Sequence, residues 1–214
     1  MSADFSWVVA IVPIRSLTGS KSRLGEPLDP EERAELILGF LRRTVAAALA
    51  ARSLASVVVV SEDADLLDLA RDMGAGVLLQ QTDGLNEALA EARVACCADA
   101  TALLVLPADL PGVTADAIDR IVDSAARRAD GNPGRAVVGL VSDRHGTGTN
   151  ALIVSPPCVI EFAFGEGSRA AHSAAAASAG AAYLELDGPL TFDVDTAEDL
   201  LQADMAGLGH EAGR

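Results

Sequence analysis

Short valine-rich runs punctuate the chain at Val8–Ile14, Val57–Val60, Val77–Leu79, Leu103–Leu106, Val137–Val141 and Leu152–Val154. Most are continuous rather than alternating, which is the pattern of strands covered on both faces. Between several of them the apolar positions change to helical spacing. Asp29-Pro-Glu-Glu32 supplies an N-cap acid, a proline at the first helical position and acids in the first turn. Leu36, Phe40, Leu41 and Val45 then follow at helical spacing. The same reading predicts helices over Ala64–Met73, Leu85–Cys96, Thr114–Ala129, Ser168–Ala179 and Thr196–Met205. Gly74 stands where a helix C-terminus favours glycine.

Alternating strands and helices predict an α/β fold, a three-layer α/β/α domain around a mostly parallel sheet. One stretch breaks the alternation. Residues 131–154 hold two strand candidates joined by Ser142-Asp-Arg-His-Gly-Thr-Gly-Thr149, too short a link for a crossover helix. An antiparallel hairpin within the parallel sheet is therefore predicted. No repeat or linker divides the chain, so residues 1–214 read as one domain, with a tail leaning to disorder from about residue 207. In open α/β sheets ligands bind beyond the carboxyl ends of the strands, and the loops there are the places to search.

Composition narrows the function classes. Half of the 214 residues are hydrophobic, yet 41 are alanine and only seven aromatic, a mix that suits helices packed closely on a sheet. Thirty-one acidic against 16 basic residues leave a net charge of −15, which repels phosphate backbones and argues against nucleic acid as a partner. An anionic small substrate then needs a local basic pocket or metal ions. The chain has no apolar run of ~18 residues to span a membrane, and Met1–Trp7 lacks the basic and apolar parts of a signal peptide. Cys96, Cys97 and Cys158 form neither a disulfide framework nor a C-x-x-C zinc spacing, and read as small buried hydrophobes. The expectation is a soluble, cytoplasmic protein.

Five segments carry candidate chemistry. After the first strand, Arg15, Lys21 and Arg23 crowd into nine residues of an acidic protein, with Thr18, Gly19 and Ser20 between them. Such donors suit a triphosphate, although a solvated basic loop explains the same residues. The spacing matches neither a Walker loop nor G-x-G-x-x-G. Leu103-Leu-Val-Leu-Pro-Ala-Asp-Leu-Pro-Gly112 is a buried strand ending in Asp109, placed to hold Mg²⁺ against a phosphate or to make a turn before Pro111-Gly112. Asp193 and Asp195, two apart in an extended segment, would point the same way and repel each other without a cation. Asp195 with Glu198 also fits a capping box. His145-Gly-Thr-Gly-Thr-Asn150 offers amides and hydroxyls to an anion, or is a plain hairpin loop. Ser168 opens a helix whose N-terminus receives anions, or simply caps it, and His172 lies one turn on, on the same face.

Taken in order, Arg15…Lys21-Ser-Arg-Leu24, Gly84-Leu-Asn-Glu-Ala-Leu89, Pro107-Ala-Asp-Leu-Pro111, Asp143-Arg-His-Gly-Thr-Gly-Thr-Asn150, Phe164-Gly-x-x-Ser168 and Asp193-Val-Asp195 resemble one family. It is that of the guanylyltransferases of deazaflavin (coenzyme F-420) biosynthesis, which join GTP to phosphoenolpyruvate or 2-phospho-L-lactate. The resemblance covers nearly the whole chain, from Trp7 to Met205. It implies a fold similar to that of nucleotide-diphosphosugar transferases. It implies metal-binding acids at Asp109, Asp193 and Asp195, with Mg²⁺ as the cofactor, and a three-carbon phospho-acid held by Thr149, Gly165 and Ser168. It places Arg15, Lys21 and Arg23 over the triphosphate, Lys21 and Arg23 acting with Asp109 in catalysis, and Asn86 near the nucleoside. His145 receives no role.

The reaction so implied is attack of the acceptor phosphate on the α-phosphorus of GTP, releasing pyrophosphate. The attacking group is already an anion, so no protein base is required. Two other readings stay open. Another nucleotidyltransferase of this fold, making a molybdopterin or sugar-phosphate product, would carry more glycines than Ser16–Gly25 holds. A non-catalytic nucleotide-binding module would gain little from three converging carboxylates.

Overall fold

The computed structural model describes residues 2–16, 29–194 and 199. Seven strands and five helices alternate along them: β1 (Val8–Pro13), α1 (Pro30–Ala50), β2 (Ser56–Ser61), α2 (Ala64–Asp72), β3 (Gly76–Leu79), α3 (Leu85–Cys96) and β4 (Ala102–Val105). Then follow α4 (Ala115–Asp130), β5 (Val137–Ser142), β6 (Thr149–Ser155), α5 (Ser168–Ser178) and β7 (Ala182–Glu185), and a 3₁₀ turn at Pro189–Thr191.

The strands form one sheet in the order β3-β2-β1-β4-β6-β5-β7. Ile11 pairs in parallel with Val58 on one side and Val105 on the other. Only β6 runs backwards: Leu152 lies opposite Val105 of β4 and Leu140 of β5 in antiparallel ladders. Hydrophobic runs that are buried on both faces demand helices on both, and the core divides accordingly. Val8, Ala10 and Val12 of β1 pack with Leu41 of α1, Leu66 of α2 and Ile118 of α4. Val9 and Ile11, pointing the other way, pack with Leu89 of α3 and Ala176 of α5. Alanines at the helix contacts let the layers approach closely. Among the described residues no helix is long and apolar enough to cross a membrane.

Local chemistry starts the helices. Asp29 Oδ1 accepts the amides of Glu31 and Glu32 at 2.9 Å each, and the Glu32 carboxylate accepts the Asp29 amide in return, a full capping box. Thr114 precedes α4 and caps it through the Ala117 amide at 3.1 Å. Three expectations need correction. The cysteines are not buried hydrophobes: Cys97 and Cys158 are exposed and Cys96 is half-buried. The strand read as Leu103–Leu106 leaves the ladder one residue earlier, although the Leu106 amide still donates to Ile11 at 2.9 Å. Ala182–Glu185 forms a strand that periodicity did not reveal. It is four residues long, half-buried, and gains its place by pairing with β5 at the sheet edge. The helix expected at Thr196–Met205 lies outside the described residues.

The reversed strand positions the site. Strands β1, β4, β5 and β7 end at one edge of the sheet, and β6, antiparallel to its neighbours, begins there. Thr149, the first residue of β6, therefore lies beside the loops that leave β4 and β5.

Candidate active site

At the end of β4, Thr44 of α1 is fully buried and donates to the Ala108 carbonyl at 3.1 Å, fixing the backbone beside Asp109. The Asp109 carbonyl in turn accepts the Val194 amide at 3.0 Å. Gly112 is required a few residues on: a Cβ there would lie 2.2 Å from the Pro189 carbonyl oxygen, so only glycine lets the two segments touch. Asn150 of β6 donates to the Leu190 carbonyl at 2.9 Å and reaches Asp193 Oδ1 at 3.4 Å. Val194 is fully buried in a small cluster with Phe40 of α1. Asp109 and Asp193 are thus held on adjoining segments by β6, α1 and a backbone bond between them. Each is half-buried.

The third expected acid, Asp195, lies outside the described residues, as do Lys21 and Arg23. Among the described residues no group of three or more His, Cys, Asp or Glu is placed to hold a metal ion. Arg15 is described and exposed, in the loop immediately after β1.

The β5–β6 loop and the start of α5 form the second half. The Asp143 carboxyl feels some burial, but the amides of Gly148 and Thr147 outweigh it and hold it below the usual carboxylate range. Arg169 binds Glu185 of β7 through two N–H groups at 3.0 and 2.9 Å, and the Gly146 carbonyl at 3.1 Å. Arg144 donates to Asp199 at 2.5 Å and lies 4.8 Å over the Phe192 ring, so this loop also grips the chain on both sides of the 195–198 stretch.

Ser168 is the first residue of α5 and is buried, but it is not the cap. Gly167 occupies that position in the left-handed conformation, and α5 has no side-chain cap bond. Its amide donates to Gly165 and the Arg169 amide to Thr147, both at 3.1 Å, so these first-turn N–H groups are already engaged. Gly165 holds φ +127, open to glycine and strained for any side chain. Thr149 Oγ1 lies 3.1 Å from His172 Nδ1.

Asn86, near the start of α3, faces the same region. Its Nδ2 donates to the Phe164 carbonyl at 3.0 Å and its Oδ1 accepts the Phe164 amide at 2.8 Å. The side chain therefore ties α3 to the loop that carries Gly165 and Ser168.

Residues 8–213 match the family described as "Guanylyl transferase CofC like". The chain belongs to this family. It is 43% identical over 194 residues to the phosphoenolpyruvate guanylyltransferase of Sphaerobacter thermophilus, spanning 90% of each chain. Its identity to the enzyme of that name from Rubrobacter xylanophilus is 40% over 203 residues, covering 94% of this chain and 95% of the other. In fold it is similar to a nucleotidyl transferase from Methanothermobacter thermautotrophicus, with a TM-score of 0.66 at 16% identity over 96% of this chain and all of that one. It is also similar to CMP:2-keto-3-deoxy-manno-octonic acid synthetase in complex with CTP, with a TM-score of 0.62 at 15% identity over 94% and 99% of the two chains. These last two likenesses concern architecture alone.

The structure places Asp109, Asp193, Thr149, Gly165, Ser168 and Asn86, each singled out from the sequence, on neighbouring segments. Sequence reasoning did not find the connections: His172 beneath Thr149, Asn86 bound to Phe164, and Arg144 across to Asp199. No local signal announces these. Each joins residues 23 to 78 positions apart, and only folding makes them neighbours.

Proposed function

We propose that this CofC-like chain transfers the guanylyl group of GTP to phosphoenolpyruvate, releasing pyrophosphate, as a step of coenzyme F-420 assembly. The observation that carries this reading is the Val194–Asp109 backbone bond. It fixes the segment that carries Asp193 on the one that carries Asp109, with Asn150 of β6 reaching Asp193. An oxygen of the acceptor phosphate bonds to the α-phosphorus, the bond from that phosphorus to the β-phosphate breaks, and pyrophosphate carries away the electron pair.

Asp109 and Asp193 fit a Mg²⁺ ion. They are hard oxygen donors, half-buried and held on abutting segments, which suits them to a divalent cation. Asp195 would complete the set. The bound ion would neutralise phosphate charge and help fix the in-line geometry. Arg15, Lys21 and Arg23 would meet the triphosphate, acting with fixed positive charge. Thr149, Gly165 and Ser168 would hold the three-carbon acid: the Thr149 hydroxyl donates to it, and the turn at Gly165 allows close approach. Asn86 would act near the nucleoside by holding the α3 start against Phe164.

The experiment is pyrophosphate release from each of the four nucleoside triphosphates with phosphoenolpyruvate and Mg²⁺. Release with GTP far above the others is expected. Release with none would leave a binding module, and turnover only with sugar phosphates and CTP or UTP would favour another nucleotidyltransferase. Parallel assays with 2-phospho-L-lactate and 3-phosphoglycerate rank the acceptors.

A further inference from the structure

His172 has no part in the mechanism above, yet it is fully buried and connects both walls of the acceptor region. Its Nε2 lies 3.0 Å from the Ala163 amide nitrogen. A backbone amide can only donate, so Nε2 is the unprotonated nitrogen. The neutral ring then carries its proton on Nδ1, and Nδ1 donates to Thr149 Oγ1 at 3.1 Å. Burial of the ring favours this uncharged state and pushes its pKa down to about 4. Beside these bonds, the ring packs edge-on against Phe164 at 5.1 Å.

The consequence falls on Thr149. Its hydroxyl oxygen already receives a hydrogen from His172, so its own proton points to a different acceptor. Among the described residues none takes it. An anion arriving between Thr149 and the 163–168 loop would.

We propose that His172 is a positioning residue for the acceptor, fixing the Thr149 hydroxyl as a donor to the phosphate or carboxylate of the three-carbon acid and pinning the 163–165 backbone opposite it. This rests on the reading in which Thr149, Gly165 and Ser168 hold that acid. A purely structural histidine would support the fold and leave the two substrates equally bound.

The test compares His172→Leu, which loses both bonds, with His172→Asn, whose amide nitrogen can still donate to Thr149. Both are made alone and in a Thr149→Val background. Melting temperatures and KM for phosphoenolpyruvate and for GTP are measured on each. His172→Leu is expected to raise the phosphoenolpyruvate KM roughly 10-fold, with the GTP KM within about 2-fold, a bond to a charged group being at stake. His172→Asn should recover the part of that loss that runs through Thr149, and the further effect of His172→Leu should be clearly smaller in the Thr149→Val background. A folded His172→Leu with an unchanged phosphoenolpyruvate KM, while Thr149→Val raises it, would overturn the proposal and leave the acceptor site standing. Undiminished loss from His172→Leu in the Thr149→Val background would also overturn it. An unchanged KM in Thr149→Val alone would instead remove the acceptor reading, and this proposal with it. Imidazole nitrogen NMR on the unmutated protein gives a readout independent of folding in the variants. Protonated Nδ1 with bare Nε2 is expected, and the opposite tautomer would sink the idea.

Discussion

The amide of Val194 donates to the carbonyl of Asp109 across 85 residues of chain, at 3.0 Å. The residue that makes this bond sits next to Asp193, so the backbone of one acidic segment is registered directly on the other. Carboxylates that converge on a cation need this accuracy, because misplacement of one ligand opens the clamp.

From that relationship, Asp109→Asn and Asp193→Asn should each lower turnover on the order of 10²–10³-fold, the scale of a lost electrostatic contact to the transition state. Size is preserved and both residues are half-buried, so the melting temperature should hold. Steady-state rates beside thermal melts decide it. A variant retaining a tenth of the rate would count against the metal assignment.

Gly112 offers a test of the support rather than the ligands. In Gly112→Ala the new Cβ would fall 2.2 Å from the Pro189 carbonyl oxygen, against backbone and a rigid proline ring and not a flexible side chain that could yield. Overpacking of this kind costs typically 1–3 kcal/mol, and here relief comes by moving Pro189 and the segment running to Asp193. The predicted signature is a lower melting temperature together with a higher Mg²⁺ requirement for activity.

Asn86→Ala should affect both substrates. The lost side chain releases Phe164 from α3, so the loop bearing Gly165 and Ser168 loosens while the start of α3 loses its anchor. KM for GTP and for phosphoenolpyruvate should rise together. An increase for GTP alone would instead identify Asn86 as a direct reader of the base.

Acid should destabilise the protein in a window set by His172. Its folded pKa is about 4, below the 6.5 of an unburied imidazole. Between those values the unfolded chain binds the extra proton, so stability falls as pH drops from 6.5 towards 4, by roughly 3 kcal/mol at most. Denaturant titrations across that range should show the loss, and His172→Asn should flatten it. An identical pH slope in the variant would exclude the burial of a neutral ring.

Local patterns determined much of this protein. Continuous valine runs required a sheet buried on both faces, Asp29 with Glu32 set the start of α1, and the six residues linking β5 to β6 were too short for anything but a hairpin. Those features depend on neighbours in the chain, so they are legible there, and so is the clustering of motifs at loop positions. Tertiary structure decided the remainder. The half-buried residues of β7 became a strand only because β5 offered an edge. Ser168, which reads equally well as a cap, became a buried first-turn residue because Gly167 could adopt the left-handed conformation before it. Asn86 was committed to Phe164, and His172 to Thr149 and Ala163, by contacts between segments that no periodicity relates. A hydrogen bond is satisfied by whichever partner packing brings within about 3 Å, and that choice is made by the fold as a whole.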